Sequence, residues 1–196
     1  MVGYREVPGA RQERNSCVIV AKGRVGGNGN PVECTGHMIK HVAGDLLLSD
    51  AQAIAHGIAP NDHFDSGLAL NLRQDWPALY KDFRHYLHTA HPKPGGLWVW
   101  TAADGRRIVN LFTQEPAPSE HARPGKASYH NLNLCLRELH KWAEQEKITS
   151  LALPRLATGV GGLDWEQVEP LIRQHLGGLA IPIKLYTTFQ KGVKAA

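Results

Sequence analysis

Cysteine is scarce in this 196-residue chain: Cys17, Cys34 and Cys135 are odd in number, widely spaced and without a C-x-x-C. Neither a disulfide framework nor a zinc site is expected from them. Histidine is plentiful, with 11 residues, but no H-E-x-x-H occurs and no metal is expected. Long hydrophobic runs are missing as well. None approaches the roughly 18 residues that span a bilayer, so no membrane role is expected. The opening MVGYREVPGARQERN has no apolar signal core, which leads to an expectation of a cytoplasmic protein. Charge is nearly balanced, 22 Lys and Arg against 18 Asp and Glu, for a net +4. That excess suits an anionic ligand and is too small to argue by itself for nucleic acid.

The composition that is present, 42% apolar and 20% charged, is that of a soluble domain with a full core. Residues 1–37 differ from the rest. KGRVGGNGNPVECTG (22–36) is rich in turn formers and holds no period, whereas order begins at Met38 with MIKHVAGDLLL. The reading is an N-terminal arm over 1–37, or an upstream extension of the frame, followed by one domain over 38–196. A peripheral strand around SCVIVA (16–21) is the competing reading.

Beyond Met38, strand and helix patterns alternate. Strands are predicted at 39–43, 53–56, 97–100, 107–112, 150–154 and 183–189. The pair 97–100 and 107–112 joins through the turn AADG. SLALP (150–154) is wholly apolar, as a strand covered on both faces should be. Helices are predicted at 66–75, at 77–91 with Pro77 at its start, and at 128–147, where Leu132, Leu136, Leu139 and Ala143 form a stripe. GGLDWEQVEPLI (161–172) opens another. Asp164 and Gln167 stand at capping-box spacing, and the glycines before them favour a bound phosphate. The fold class is therefore α/β, a three-layer α/β/α sandwich around a mixed central sheet.

In such sheets ligands bind at the carboxyl ends of strands, and three loops there hold unusual residues. HGIAPNDHFDSGLAL (56–70) carries His56, Asn61, Asp62, His63, Asp65 and Gly67. FTQEPAPSEHARPGK (112–126) is long and proline-rich, as lids often are. RLATGVGGLD (155–164) has three glycines that allow a ligand close to the backbone.

VAGDLLL (42–48), IAHGIAPNDHFDSGLALNLR (54–73), VNLFTQ (109–114) and LALPRLATGVGGLDWEQV (151–168) together resemble the macrodomains, which bind ADP-ribose. Within that family the similarity is to the branch of the terminal ADP-ribose protein glycohydrolase and the antitoxin that removes ADP-ribose from DNA. The resemblance covers about residues 40–190 and implies roles. Asp45, with Leu46 beside it, accepts from the adenine amino group. Tyr186 or Phe189 covers the adenine. Thr158, Gly159, Val160, Gly161 and Gly162 cradle the diphosphate with backbone N–H groups. His56, Asn61, Gly67 and Gln114 complete the ligand contacts.

The branch's attacking lysine corresponds to Gln114, which cannot form the covalent sugar adduct that an amine can. Lys126 lies further along the lid and is more simply a solvated residue. A water-based route remains, in which Asp62 or Asp65 orients water and His63 acts near neutral pH. A plainer reading has Asp65 or Ser66 capping helix 66–75. Asp164 is read mainly as a helix cap, stabilising by about 1 kcal/mol, with a second role near the distal ribose. The implied function is ADP-ribose binding, with hydrolysis of an ADP-ribosyl linkage on protein or nucleic acid or of an ADP-ribose derivative. The alternative is a reader that binds without cleaving. No cofactor is implied.

Overall fold

The computed structural model describes residues 39–119 and 122–195. The expected arm over 1–37, with Cys17 and Cys34, lies outside the described residues. Among the described residues, six strands form one sheet: β1 (Ile39–Gly44), β2 (Ala53–Ile58), β3 (Leu97–Thr101), β4 (Arg107–Phe112), β5 (Leu151–Pro154) and β6 (Ile183–Phe189). Their order is β1-β6-β5-β2-β4-β3. The pairs β1–β6, β6–β5, β5–β2 and β2–β4 are parallel, while the edge pair β3–β4 is antiparallel. Four helices flank the sheet: α1 (Gly67–Asp75), α2 (Pro77–Ala90), α3 (Tyr129–Gln145) and α4 (Trp165–Leu176).

Strand alternation sends side chains to two cores. Ala53, Ala55, Leu151, Leu153 and Leu185 face α3 and α4, whose Leu132, Leu136, Leu139, Val168 and Ile172 are buried against them. Ile54, Ile58, Ile108 and Phe112 face α1 and α2, meeting Leu72, Leu79 and Phe83. The leucine stripe of 128–147 is thus the seam of α3, and each fully buried leucine there contributes about 1.5–3 kcal/mol. This is the three-layer α/β/α sandwich with a mixed sheet that the periodicity predicts.

Two local predictions need correction. The strand expected over 53–56 continues to Ile58, because His56, Gly57 and Ile58 pair in parallel with Asn110, Leu111 and Phe112. Gly57 and Ile58 are therefore strand residues, as His56 was expected to be. The capping box at Asp164 is only half formed. Asp164 Oδ1 accepts from Glu166 N at 3.0 Å, but the Asp164 N–H donates to the Tyr129 hydroxyl at 3.2 Å, where a box would use the Gln167 side chain. Pro170 lies inside α4, facing solvent. There the carbonyl it leaves unbonded, that of Glu166, can turn to water. No helix among the described residues is long and apolar enough to cross a membrane.

Candidate functional site: a two-part cleft at the strand ends

Parallel pairing brings the carboxyl ends of β1, β6, β5, β2 and β4 to one edge of the sheet. Two cavities open there. The first, of about 490 Å³, is walled by His56 from β2, by Asp62, Asp65 and Ser66 from the β2–α1 connection and by Gln114, Arg123 and Pro124 from the β4–α3 connection. Arg155, Ala157, Gly159, Val160 and Gly161 from the β5–α4 loop complete it. The second, of about 500 Å³, is walled by Gly44, Asp45, Leu46, Leu70, Asn71, Tyr186 and Phe189. Gly67, Leu68 and Pro154 belong to both walls, so the cavities abut across the start of α1.

The glycine loop is shaped by its own backbone. Leu163 N donates to Ala157 O at 2.9 Å and Gly162 N to Gly159 O at 3.2 Å. Ala157 and Gly162 take left-handed φ values of 58° and 74°. A side chain at Gly161 would meet the Ala157 carbonyl oxygen at 2.5 Å, so only glycine fits. Among the described residues, the N–H groups of residues 158–161 meet no acceptor. They form a run of donors suited to an anion. The Thr158 hydroxyl turns back to the Arg155 carbonyl at 3.0 Å, and neither Thr158 nor Gly162 reaches a cavity wall.

The polar cluster N-D-H-F-D is sorted by one buried aromatic. Phe64 adopts φ 52°, is fully buried, and packs on Tyr80, Phe83 and the edge of His56. Asp62 Oδ1 accepts from Phe64 N at 2.7 Å, the short-range bond that supports this turn. With Phe64 inward, Asp62 and Asp65 face the first cavity. Burial holds the Asp62 carboxyl above the ordinary carboxylate range. His63 lies on neither wall. Its carbonyl takes the Arg73 guanidinium, and its Nε2 is buried without a partner. Asn61 is also absent from the walls. Its amide pairs reciprocally with Ala117, donating Nδ2 to the carbonyl at 3.0 Å and accepting the N–H at 2.8 Å.

His56 sits at the back of the first cavity, 2% exposed, with Nε2 2.8 Å from Asn110 Oδ1. The Asn110 amide nitrogen donates to the Trp98 and Ile108 carbonyls, so its oxygen must accept. This network assigns the His56 proton to Nε2 and leaves Nδ1 a lone-pair acceptor. Burial lowers the His56 pKa to about 4, so the ring is neutral at physiological pH. Gln114 is 5% exposed, and its Oε1 is buried without a partner. In the second cavity, Asp45 accepts from Leu47 N at 3.1 Å and from Gly192 N at 3.0 Å, which fixes its carboxylate at the end of β1. The Tyr186 hydroxyl beside it is buried and unpartnered, while Phe189 is two-thirds exposed.

The sorting against sequence expectation is uneven. Asp45, Leu46, His56, Asp62, Asp65, Gly67, Gln114, Gly159, Val160, Gly161, Tyr186 and Phe189 share the cleft. Asn61, His63, Thr158, Gly162 and Asp164 lie off both walls. Asp164 caps α4. Ser66 stands at the N-cap of α1 without a side-chain capping bond, and its residue lines the first cavity. The arginines Arg123 and Arg155 were missed. Arg155 was legible as the cation of the L-P-R segment that opens the glycine loop, whereas nothing near Arg123 distinguishes it from a solvated lid residue.

A mixed sandwich with a two-part cleft at its strand ends, one part lined by backbone donors and the other by a fixed carboxylate and aromatics, is built for a ligand with an anionic middle. The Macro domain family model matches residues 65–172, and the chain belongs to that family. It is 26% identical over 164 residues to a DNA ADP-ribosyl transferase-DNA ADP-ribosyl glycohydrolase fusion protein of Thermosipho africanus, covering 78% of this chain and 42% of the relative. It is 28% identical over 135 residues to the DNA ADP-ribosyl glycohydrolase of Mycobacterium tuberculosis, covering 67% of this chain and 37% of that protein. The match thus spans about two-fifths of the length of these bacterial relatives. To the ADP-ribose glycohydrolase OARD1 of Homo sapiens it is 27% identical, covering 78% of this chain and 93% of that one. The solved macrodomain of Mycobacterium tuberculosis DarG superposes with a TM-score of 0.68 at 24% identity, over 77% of this chain and 98% of that one, a likeness of fold.

Proposed function

We propose that this macrodomain binds ADP-ribose across the two cavities and hydrolyses an ADP-ribosyl linkage. The observation that carries the reading is the pairing of two abutting cavities with different linings. The adenosine end suits the cavity of Asp45, Leu46, Tyr186 and Phe189, where a carboxylate can accept from the adenine amino group. The diphosphate suits the donor run at 158–161, and the distal ribose then reaches His56, Asp62, Asp65 and Gln114. The relatives named as ADP-ribosyl glycohydrolases support the reaction class, as does a solved structure of Thermosipho africanus DarTG in complex with ADP-ribose.

In this reading the reaction is a direct attack of water on the anomeric carbon of the distal ribose. The new C–O bond forms as the bond to the leaving group breaks, and its electron pair leaves with that group. Asp65, exposed on the cavity wall, takes the proton of the water. Asp62, whose burial favours the protonated form, gives a proton to the leaving group. Gln114 offers an amide to a ribose hydroxyl or the water, where an amine would form an adduct. His63 and Asp164, off the walls, support the loop and α4.

A reader that binds without cleaving is the second reading, favoured by Gln114. Calorimetric titration with ADP-ribose, ADP and AMP separates the first question, with ADP-ribose expected to bind most tightly. Release of ADP-ribose from ADP-ribosylated DNA and from ADP-ribosylated protein separates the second. Binding without release on either substrate selects the reader, and no binding refutes both readings.

A further inference from the structure

The connection between β4 and α3 is fastened at its base and again away from it. At the base, Gln114 and Ala127 form an antiparallel bridge, Glu115 N donates to Lys126 O at 3.1 Å, and Gly125 N donates to Glu115 O at 2.9 Å. Ala127 N donates to Gly161 O at 3.0 Å, which ties this base to the glycine loop. Asn131 Nδ2 holds Glu115 Oε1 at 2.8 Å. Beyond the base, the reciprocal amide pair of Asn61 grips Ala117, which is 7% exposed. The connection is thereby attached to the β2–α1 loop on one side and the glycine loop on the other, and its residues Arg123 and Pro124 complete the first cavity. None of the ion pairs among the described residues uses Arg123.

We infer that Arg123 is a substrate-contacting specificity residue that takes the diphosphate of the ligand, and that Asn61 is the positioning residue that holds its segment in place. The inference rests on the ADP-ribose reading above. The acidic side chain of Asp65 stands on the wall of a cavity that must accept a dianionic group, and like charge beside a phosphate is unfavourable. A guanidinium opposes that repulsion and, with five N–H donors in a planar fork, matches phosphate oxygens two at a time. Arg155 shares the cavity but lies over the Trp165 ring at 5.0 Å.

The test titrates the full chain and its Arg123→Ala, Arg123→Lys, Asn61→Ala and doubly substituted variants with ADP-ribose and with adenosine. Arg123→Ala should weaken ADP-ribose binding about tenfold or more and leave adenosine unchanged. Arg123→Lys should recover part of the loss. Asn61→Ala should also weaken ADP-ribose and spare adenosine, and its effect should vanish once Arg123 is gone, since it acts through that residue. Asn61→Asp, which keeps the acceptor for Ala117 N, should fall between. Wild-type affinity in Arg123→Ala, or losses for Asn61 and Arg123 that simply add, overturns the inference and leaves the ADP-ribose reading standing. Failure of the unsubstituted chain to bind ADP-ribose overturns both.

Discussion

A single methyl group at Gly161 tests the phosphate loop. An alanine Cβ there would stand 2.5 Å from the Ala157 carbonyl oxygen and 2.9 Å from the Ala127 Cβ. Unstrained contacts between non-bonded carbons lie at about 3.5–4.0 Å. The loop must therefore open by roughly 1 Å, against the 2.9 Å bond from Leu163 N to Ala157 O that closes it. Overpacking of this kind costs about 1–3 kcal/mol of stability. It also turns the N–H groups of 158–161 away from the ligand. Each hydrogen bond to a charged group is worth about 1.5–3 kcal/mol, so one misdirected donor weakens binding about ten- to a hundredfold. Two neighbours serve as controls. Gly159→Ala meets nothing within 4 Å and should leave the fold unchanged. Gly162→Ala also meets open space, but its φ of 74° adds about 1 kcal/mol of backbone strain. Urea melts should rank the loss of stability Gly161 over Gly162 over Gly159, and calorimetry should show weakened ADP-ribose binding in Gly161→Ala. A folded Gly161→Ala protein with wild-type affinity refutes the loop assignment, as does a Gly159→Ala protein that is equally destabilised.

Three further outcomes follow from the cleft. Asp45→Ala should weaken ADP-ribose markedly and erase any preference for adenosine over inosine, which lacks the amino group; a retained preference in competition titrations would show that Asp45 is only a turn cap. Below about pH 6.5 the unfolded chain binds a proton at His56 that the folded chain, with a pKa of about 4, refuses. Stability should therefore fall as pH drops from 6.5 toward 4, by up to about 3 kcal/mol from this group, and His56→Gln should flatten that slope in urea melts. Asp62 has the opposite sense for an acid, since its raised pKa means that burial disfavours the ionised form. Its folded-state contribution is greatest at low pH and is lost as pH rises through the raised value. Asp62→Asn, which keeps the acceptor for Phe64 N, should thus raise the melting temperature near neutral pH while abolishing release of ADP-ribose; a variant with lower melting temperature and full turnover would contradict both parts.

Much of the fold was legible because its elements carry strong periods. The stripe Leu132, Leu136, Leu139, Ala143 admits only a helix, and every member is buried in α3. SLALP has no polar face to give to water, and Leu151, Ala152 and Leu153 are fully buried at the middle of the sheet. The extension of β2 was not legible. Gly57 and Ile58 read as the start of a loop, and only the parallel register against Leu111 and Phe112 makes them strand. The partner that satisfies His56 inside the strand stands 54 residues away, and nothing local points to it.

The site divides along the same physical line. Residues whose role is set by backbone shape, such as Gly161 and Asp45, announce themselves, because a tight turn or a strand end restricts what can stand there. Residues whose role is set by a distant partner do not. Asn61, Asp62, His63 and Asp65 look equivalent in N-D-H-F-D, yet Phe64 turns inward, and that one burial decides which side chains meet the cavity. Asn61 is then committed to Ala117, 56 residues on, and Asp164 takes its reciprocal cap from Tyr129, 35 residues back. In neither case does spacing along the chain encode the partner. A polar loop read from sequence therefore gives the supply of acids, bases and amides correctly and their division of labour poorly. The division follows from which apolar residue the loop must bury, and in this chain that residue is Phe64.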